Sequence, residues 1–336
     1  MSSRKMSSWL VVAVFLLCGA GMVFAAGAKE AEQTGKVVIG VSMDTVDHPF
    51  WQADIAGMKD KAKEQGVELD IQVAQGDANV QNKHIEDMLA KGVSAVICAA
   101  KDSKAILQAV KKCNEKKVPF IYNDRAVYST ADAKVDWGAG TDNYLLAKSG
   151  WEWMVKYARE KGLKLKVLEL VGDLADNNVL DRSRGFKDVM EANKDIVQLV
   201  ASVPTEWNLD KALAGTTNAL QANKEINCIY MHSDYLLEPT VQALKQANKY
   251  FKIGEPGHVI VMPFGGSKNS LDGVRGGWYE MCFGMNIYGT GQQCVQAAVD
   301  HVVDGKPFGP PMADPGFIID ASNIGTLGAT AYGAWE

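Results

Sequence analysis

Val37-Val38-Ile39-Gly40-Val41, with Pro49 to Gln65 and Glu68 to Val73 behind it, is the stretch on which the fold turns. The first run is short, apolar and β-branched, without the alternation of a half-exposed strand, and reads as a strand buried on both faces. Pro49 to Gln65 then carries Phe50, Ile55, Met58 and Ala62 at helical spacing, and Glu68 to Val73 is strand-like again. A helix of this length between two short strands is the crossover that parallel pairing requires. The pattern continues outward with helix Gln81 to Lys91 ended by Gly92, strand Val93 to Cys98, helix Lys104 to Lys116 and strand Val118 to Tyr122. The expectation is α/β: a parallel sheet with helices on both faces.

The same grammar then starts again. Lys166 to Val171, Ile196 to Val203, Ile226 to Tyr230 and Val259 to Phe264 read as strands, separated by helices Ser183 to Ala192, Leu209 to Ala222 and Leu237 to Asn248. Individual positions correspond too: Gly57-Met58-Lys59-Asp60 resembles Gly185-Phe186-Lys187-Asp188, and Val96-Ile97-Cys98 resembles Cys228-Ile229-Tyr230. Similarity at a spacing of one whole lobe points to two like lobes. Gly138-Ala139-Gly140-Thr141-Asp142-Asn143 reads as the glycine-rich junction, followed by a helix near Tyr144. Gly284 to Asn286, helix Gly289 to Val303 and the tail Pro310 to Ile319 remain as segments that cross back. The expected lobes are therefore discontinuous: 36–140 with 286–311, and 141–285 with 312–336.

Composition bounds the function. The 336 residues, 47% hydrophobic and 22% charged, suit a globular chain of about two domains. A net charge of -5, with basic pairs no longer than Lys111-Lys112 and Lys116-Lys117, argues against a nucleic-acid partner. Arg4 and Lys5 precede the apolar run Trp9 to Cys18 and the small-residue end Val23-Phe24-Ala25-Ala26, the pattern of a signal peptide over residues 1–26. Its core falls short of the roughly 20 residues a spanning helix needs. Lipid attachment at Cys18 is disfavoured by the bulk of Leu17. Without the leader, 33 basic face 40 acidic residues, a charge of -7. The remaining Cys98, Cys113, Cys228, Cys282 and Cys294 have no CxxC spacing and read as buried thiols.

Ligands of such sheets bind beyond the carboxyl ends of the strands, so the loops there hold the candidates. His48-Pro49-Phe50-Trp51 follows the first strand and offers a polar ring beside flat apolar faces, while Pro49 suits a first helical turn. Asn123-Asp124-Arg125 ends an apolar strand with an acceptor and a forked donor side by side, able to hold neighbouring hydroxyls. Arg182 lies in Asp181-Arg182-Ser183-Arg184, where Asp181 or Ser183 could cap the helix that follows. Trp207 is a large aromatic in a loop, costly to leave uncovered. Ser233 and Asp234 follow another strand, and Asn286, at a crossing, donates and accepts at once. Asp173 to Asn178 is rich in oxygen ligands but lacks the glycine and final Glu of a calcium loop, and reads as a solvated loop.

Several enzymatic signatures are missing: no GxGxxG follows the first strand, and there is no GxxxxGK[ST], HExxH or GxSxG. The histidines show no metal spacing. No catalytic residue, cofactor or metal is assigned.

From Lys36 to about Ile319 the chain resembles the type I periplasmic sugar-binding proteins of ABC importers, the ribose- and galactose-binding class. The resemblance rests on Val41-Ser42 with Pro49-Phe50-Trp51, Asn123-Asp124-Arg125, Thr141-Asp142-Asn143, Arg182 before Gly185-Phe186, and Trp207. It implies two Rossmann-like lobes joined by three crossings and closing like a hinge on one small molecule. It also implies a sugar ring between Trp207 and Phe50 or Trp51, with Asp124, Arg125 and Arg182 on its hydroxyls and His48 assisting. Two departures stand out. Phe264-Gly265-Gly266 replaces a Phe-Asp-Gly turn, and Ala99 and Met285-Asn286 stand where relatives carry Asn and Gln. A buried hydroxyl without a partner costs roughly 1–3 kcal/mol, so these losses argue against ribose and for another pentose, a hexose, a polyol or a furanosyl signal. The resulting expectation is a monomeric exported receptor that performs no chemistry and passes a sugar or polyol to a membrane permease. The competing expectations are a receptor of the same fold feeding a sensor kinase or chemoreceptor, and a dinucleotide-dependent enzyme.

Overall fold

In the computed structural model, which describes residues 36–334, strands and helices alternate along the chain. The expected signal peptide and Cys18 lie outside the described residues. The first set is β1 (Val38–Met43), α1 (Pro49–Gln65), β2 (Glu68–Val73), α2 (Ala78–Lys91), β3 (Ala95–Ala99), α3 (Leu107–Lys116), β4 (Phe120–Asn123) and β5 (Trp137–Thr141). The second is α4 (Asn143–Lys161), β6 (Leu165–Val171), α5 (Asn177–Ala192), β7 (Val197–Pro204), α6 (Leu209–Ala222), β8 (Cys228–Met231), α7 (Leu237–Gln246), β9 (Ile260–Gly265), α8 (Lys268–Arg275) and β10 (Met281–Gly284). The chain then returns through α9 (Ile287–Val302), β11 (Met312–Asp314) and β12 (Phe317–Asp320).

Local chemistry sets the helix ends. At α1, His48 Nδ1 accepts from Phe50 N–H, Pro49 takes the first turn where no donor is needed, and left-handed Gly66 closes the last turn. Asp77 and Gly92 do the same for α2. Asp176, not Asp181 or Ser183, caps α5, so this helix begins six residues earlier than the sequence suggests and Arg182 sits in its second turn.

Two six-stranded sheets result, ordered β2-β1-β3-β4-β5-β11 and β7-β6-β8-β9-β10-β12. Every pairing is parallel except β10 with β12. The two orders are equivalent position by position, and the Gly57 and Gly185 motifs occupy equivalent helix contacts. A Cβ on Gly57 would lie 2.1 Å from Tyr288 O of α9, and one on Gly185 2.6 Å from Tyr144 O of α4, so glycine lets each helix pair approach closely.

Two expectations need correction. The glycine-rich junction holds the expected crossing, but its residues 138–141 belong to strand β5: Gly138, a poor strand former in isolation, leaves room for the Tyr122 ring, which would lie 2.2 Å from a Cβ there. Met312–Asp314 pairs with Ala139, Gly140 and Thr141 of the first sheet, so the last crossing falls at Pro315-Gly316 rather than between 311 and 312. The other crossings are Thr141-Asp142 and Met285-Asn286. All five described cysteines are buried free thiols.

A cavity between two buried arginines

The first lobe brings Asp44 from the end of β1, His48, Phe50 and Trp51 from the start of α1, and Asp124 and Arg125 from the end of β4. Asp124 adopts φ +58°, a left-handed conformation that costs an L-residue about 1–2 kcal/mol. Burial raises its carboxyl to about 6, although Arg182 pulls the other way. Arg125 is 5% exposed and does not pair with its neighbour Asp124. Instead Nη1 donates to Asp44 Oδ2 at 2.6 Å and to Ala100 O at 3.0 Å, Nε reaches Asp176 Oδ2 at 3.1 Å, and the guanidinium lies over Trp51 at 5.1 Å. Burial opposes its charge, but Asp176 and Asp44 outweigh burial and hold it above its ordinary value.

The second lobe contributes Asp176, Asn178 and Arg182 from α5, Trp207 before α6, and Ser233 and Asp234 after β8. Arg182 is equally buried, yet no carboxylate among the described residues forms an ion pair with it. Nε donates to Asn143 Oδ1 at 2.7 Å, Nη1 donates to the carbonyl of His232, and the guanidinium rests on Phe264 at 4.2 Å. Burial therefore lowers its pKa, with Asp124 and Asp176 opposing from a distance. The His232 ring itself turns to Glu169 at 3.0 Å, away from the cavity. Trp207 follows Glu206 in a second consecutive left-handed residue, φ +57° after +53°. Ser233 both caps the short helical turn Asp234–Leu236 and faces the cavity.

Between these groups lies a cavity of about 400 Å3. His48, Phe50, Trp51, Asp124, Arg125, Arg182, Trp207, Ser233 and Asp234 line it, as the sequence suggests. Asn286 does not: its Oδ1 caps α9 by accepting from Gly289 N–H at 3.0 Å, and Met285 faces the cavity instead. Asp44, Asp176, Asn178, Lys101, Gln75 and Tyr235 line it without having been expected. The Asp173 to Asn178 segment is thus no solvated loop, since Asp176 and Asn178 are each 2% exposed. Among the described residues, Asp44 Oδ1, Asp124 Oδ1 and Trp207 Nε1 are buried without a hydrogen-bond partner. Left-handed non-glycine residues concentrate here as well, in Gln75, Asp124, Glu206 and Trp207, as backbone strain tends to at ligand sites.

Gly265 explains the altered Phe-Gly-Gly turn. Its φ is +145°, and a Cβ there would meet Asp234 Oδ1 at 2.6 Å. The carboxylate of Asp234 fills the space that a side chain at 265 would occupy.

The lobes are closed on one another. Lys101 Nζ meets Asp173 at 2.6 Å, Ser103 N–H donates to Ala175 O at 3.1 Å, and Asn177 Nδ2 donates to Ala126 O at 2.9 Å. Asn178 Nδ2 donates to Asp124 O and Oδ2, each at 3.2 Å.

Two like lobes, three crossings and a polar cavity between strand ends define a solute-binding protein of the type I class. The chain belongs to the periplasmic binding protein domain family, which matches residues 39–307. It is a binding protein, not an enzyme. The ribose import binding protein of Bacillus subtilis (strain 168) is 26% identical, over 81% of this chain and 84% of that one. The D-apiose import binding protein of Paraburkholderia graminis is 27% identical, over 70% and 72% respectively. A Caulobacter myo-inositol binding protein, solved with myo-inositol, superposes with a TM-score of 0.81 at 20% identity, covering 90% of this chain and 99% of that one. A galactofuranose binding protein gives 0.79 at 19% identity, covering 88% and 98%.

Proposed function

We propose that this chain captures a monosaccharide or related polyol between its lobes and delivers it to the membrane permease of an ABC importer, on the outer side of the membrane to which its N-terminal leader directs it. The observation that carries the reading is a cavity of about 400 Å3 lined by the carboxylates of Asp44, Asp124 and Asp176 together with the guanidinium groups of Arg125 and Arg182. Acceptors and donors placed together suit neutral hydroxyls, which do both. Phe50 and Trp207 add apolar faces for the C–H side of a ring, Trp51 being partly covered by Arg125. Relatives named for import of ribose and D-apiose support the class. The altered turn at Gly265 and the buried Ala99 support a ligand other than ribose.

A thermal-shift panel of monosaccharides, polyols and nucleosides on the mature protein tests this. A ligand at 100 times its Kd adds about 2.7 kcal/mol of stability, a clear shift in Tm. No shift with any sugar or polyol would overturn the reading.

A further inference from the structure

The family match ends at residue 307, yet the segment after β12 reaches back to the rear of the cavity. A short helical turn, Tyr332–Ala334, is pinned where Tyr332 N–H donates to Met285 O at 3.1 Å and Gly333 N–H to Gly266 O at 3.0 Å. Tyr332 is fully buried. Its ring stands edge-on to Phe50, with centroids 5.3 Å apart, and packs on Ala53 and Ile287. Its hydroxyl donates to Asp234 Oδ1 at 2.7 Å. Asp234 Oδ2 accepts from Ser267 N–H at 2.6 Å and Ser270 Oγ at 3.2 Å. A carboxylate has about four acceptor directions, so one remains, on Oδ1. His48 Nε2 stands 4.0 Å from that oxygen. Because His48 Nδ1 already accepts from Phe50 N–H, the neutral ring carries its proton on Nε2. At 4.0 Å the two do not hydrogen-bond directly, but one hydroxyl oxygen can lie within reach of both.

We propose that Tyr332 is a positioning residue for the ligand: its hydroxyl aims Asp234 Oδ1 so that Asp234 and His48, one from each lobe, hold a single ligand hydroxyl as acceptor and donor. The inference rests on the sugar-binding reading above. It makes the C-terminal segment part of the specificity apparatus, and it ties closure to the presence of that hydroxyl, since donor and acceptor meet only when the lobes do. Asp234 takes this place because Gly265 leaves it free.

Calorimetric titration of the mature protein and its Tyr332→Phe variant with each monosaccharide or polyol of the thermal-shift panel that binds, D-allose and myo-inositol first, and with its single-deoxy analogues decides the matter. For the compound that binds, Tyr332→Phe, which keeps the ring and its packing, should weaken affinity about tenfold or more. One deoxy position should be costly in the unmodified protein and nearly free in Tyr332→Phe, a non-additivity that a general loosening would not produce. His48→Phe, with the tail untouched, should silence the same position. Equal affinity in Tyr332→Phe, or the same factor lost for the parent compound and every deoxy analogue, overturns the inference alone. Failure of every sugar and polyol in the thermal-shift panel to bind the unmodified protein overturns the sugar-binding reading, and this inference with it.

Discussion

Arg125 and Arg182 come from opposite lobes, are equally buried and face the same cavity, but the protein treats their charges differently. Arg125 is matched by Asp44 from its own lobe and Asp176 from the other, so its charge is neutralised inside the protein and one of its bonds exists only when the lobes meet. Arg182 is held by a side-chain amide, a backbone carbonyl and an aromatic face, all neutral. Desolvating a guanidinium without a paired carboxylate is unfavourable, and its neutral partners, with Asp124 and Asp176 at a distance, offset that only in part. One arginine ties the lobes together through paired carboxylates, and the other faces the cavity on neutral partners alone.

The largest effect expected from this contrast is on stability. Arg125→Met leaves two carboxylates buried and unpaired, which should lower the unfolding free energy by roughly 3–5 kcal/mol. Arg182→Met leaves only neutral acceptors behind and should lower it by no more than roughly 1–2 kcal/mol. Urea unfolding of both variants without sugar measures this, and equal losses would break the comparison. Next comes pH. Below the ordinary aspartate value, 3.8, folded and unfolded chains both hold the Asp124 proton; between it and about 6 only the folded chain does. Asp124 therefore contributes a fall in stability as pH rises through that window and none above it, amounting to roughly 2–3 kcal/mol. Asp124→Asn should flatten this part of the profile, and an unchanged slope would mean that Arg182, not burial, governs the group. Affinity follows. Trp207→Ala and Arg182→Met should each weaken binding of the sugar identified by thermal shift by about 10- to 100-fold, while Trp207→Ala leaves the sugar-free melting temperature nearly unchanged. Normal binding by Trp207→Ala would misplace the cavity.

What the sequence discloses depends on how far each signal reaches. β1, α1 and β2 are written in local apolar period, and α1 and β2 are read to the residue. Asp124, Arg125 and His48 are legible because they stand at the carboxyl ends of apolar strands, and Asp44, on the same rule, could have been found beside them. Arg125's partners are a different matter: Asp44 lies 81 residues away, and nothing local names it. Asp176 and Asn178 look like any acidic, amide-rich loop, since a loop that meets the opposite lobe and one that meets water have the same composition. Asn286 fails for the converse reason. An amide at a crossing suits a ligand, but it also suits the N-cap of the helix that follows, and the nearer backbone donor took it. The return strands β10 to β12 are short and specified by pairing across the sheet rather than by their own pattern.

The smallest expected effect separates the closing contacts from the binding ones. Lys101 and Asp173 meet across the lobes at 2.6 Å, but both are partly exposed, at 22% and 17% of their side chains, so water and salt screen the pair. Such a pair is worth roughly 0.2–1 kcal/mol, far less than the buried Arg125 cluster. Lys101→Ala should therefore weaken sugar affinity only about two- to fivefold, by reducing the population of the closed form on which binding draws. The loss should shrink at high salt, where the unmodified pair is already screened, whereas the losses in Arg125→Met and Arg182→Met should persist because their partners are dry. Titrations of Lys101→Ala at low and high ionic strength measure both. A salt-insensitive loss would place Lys101 on the ligand itself, to which its position on the cavity wall gives it access, and would move it from the closing contacts to the side of Arg182.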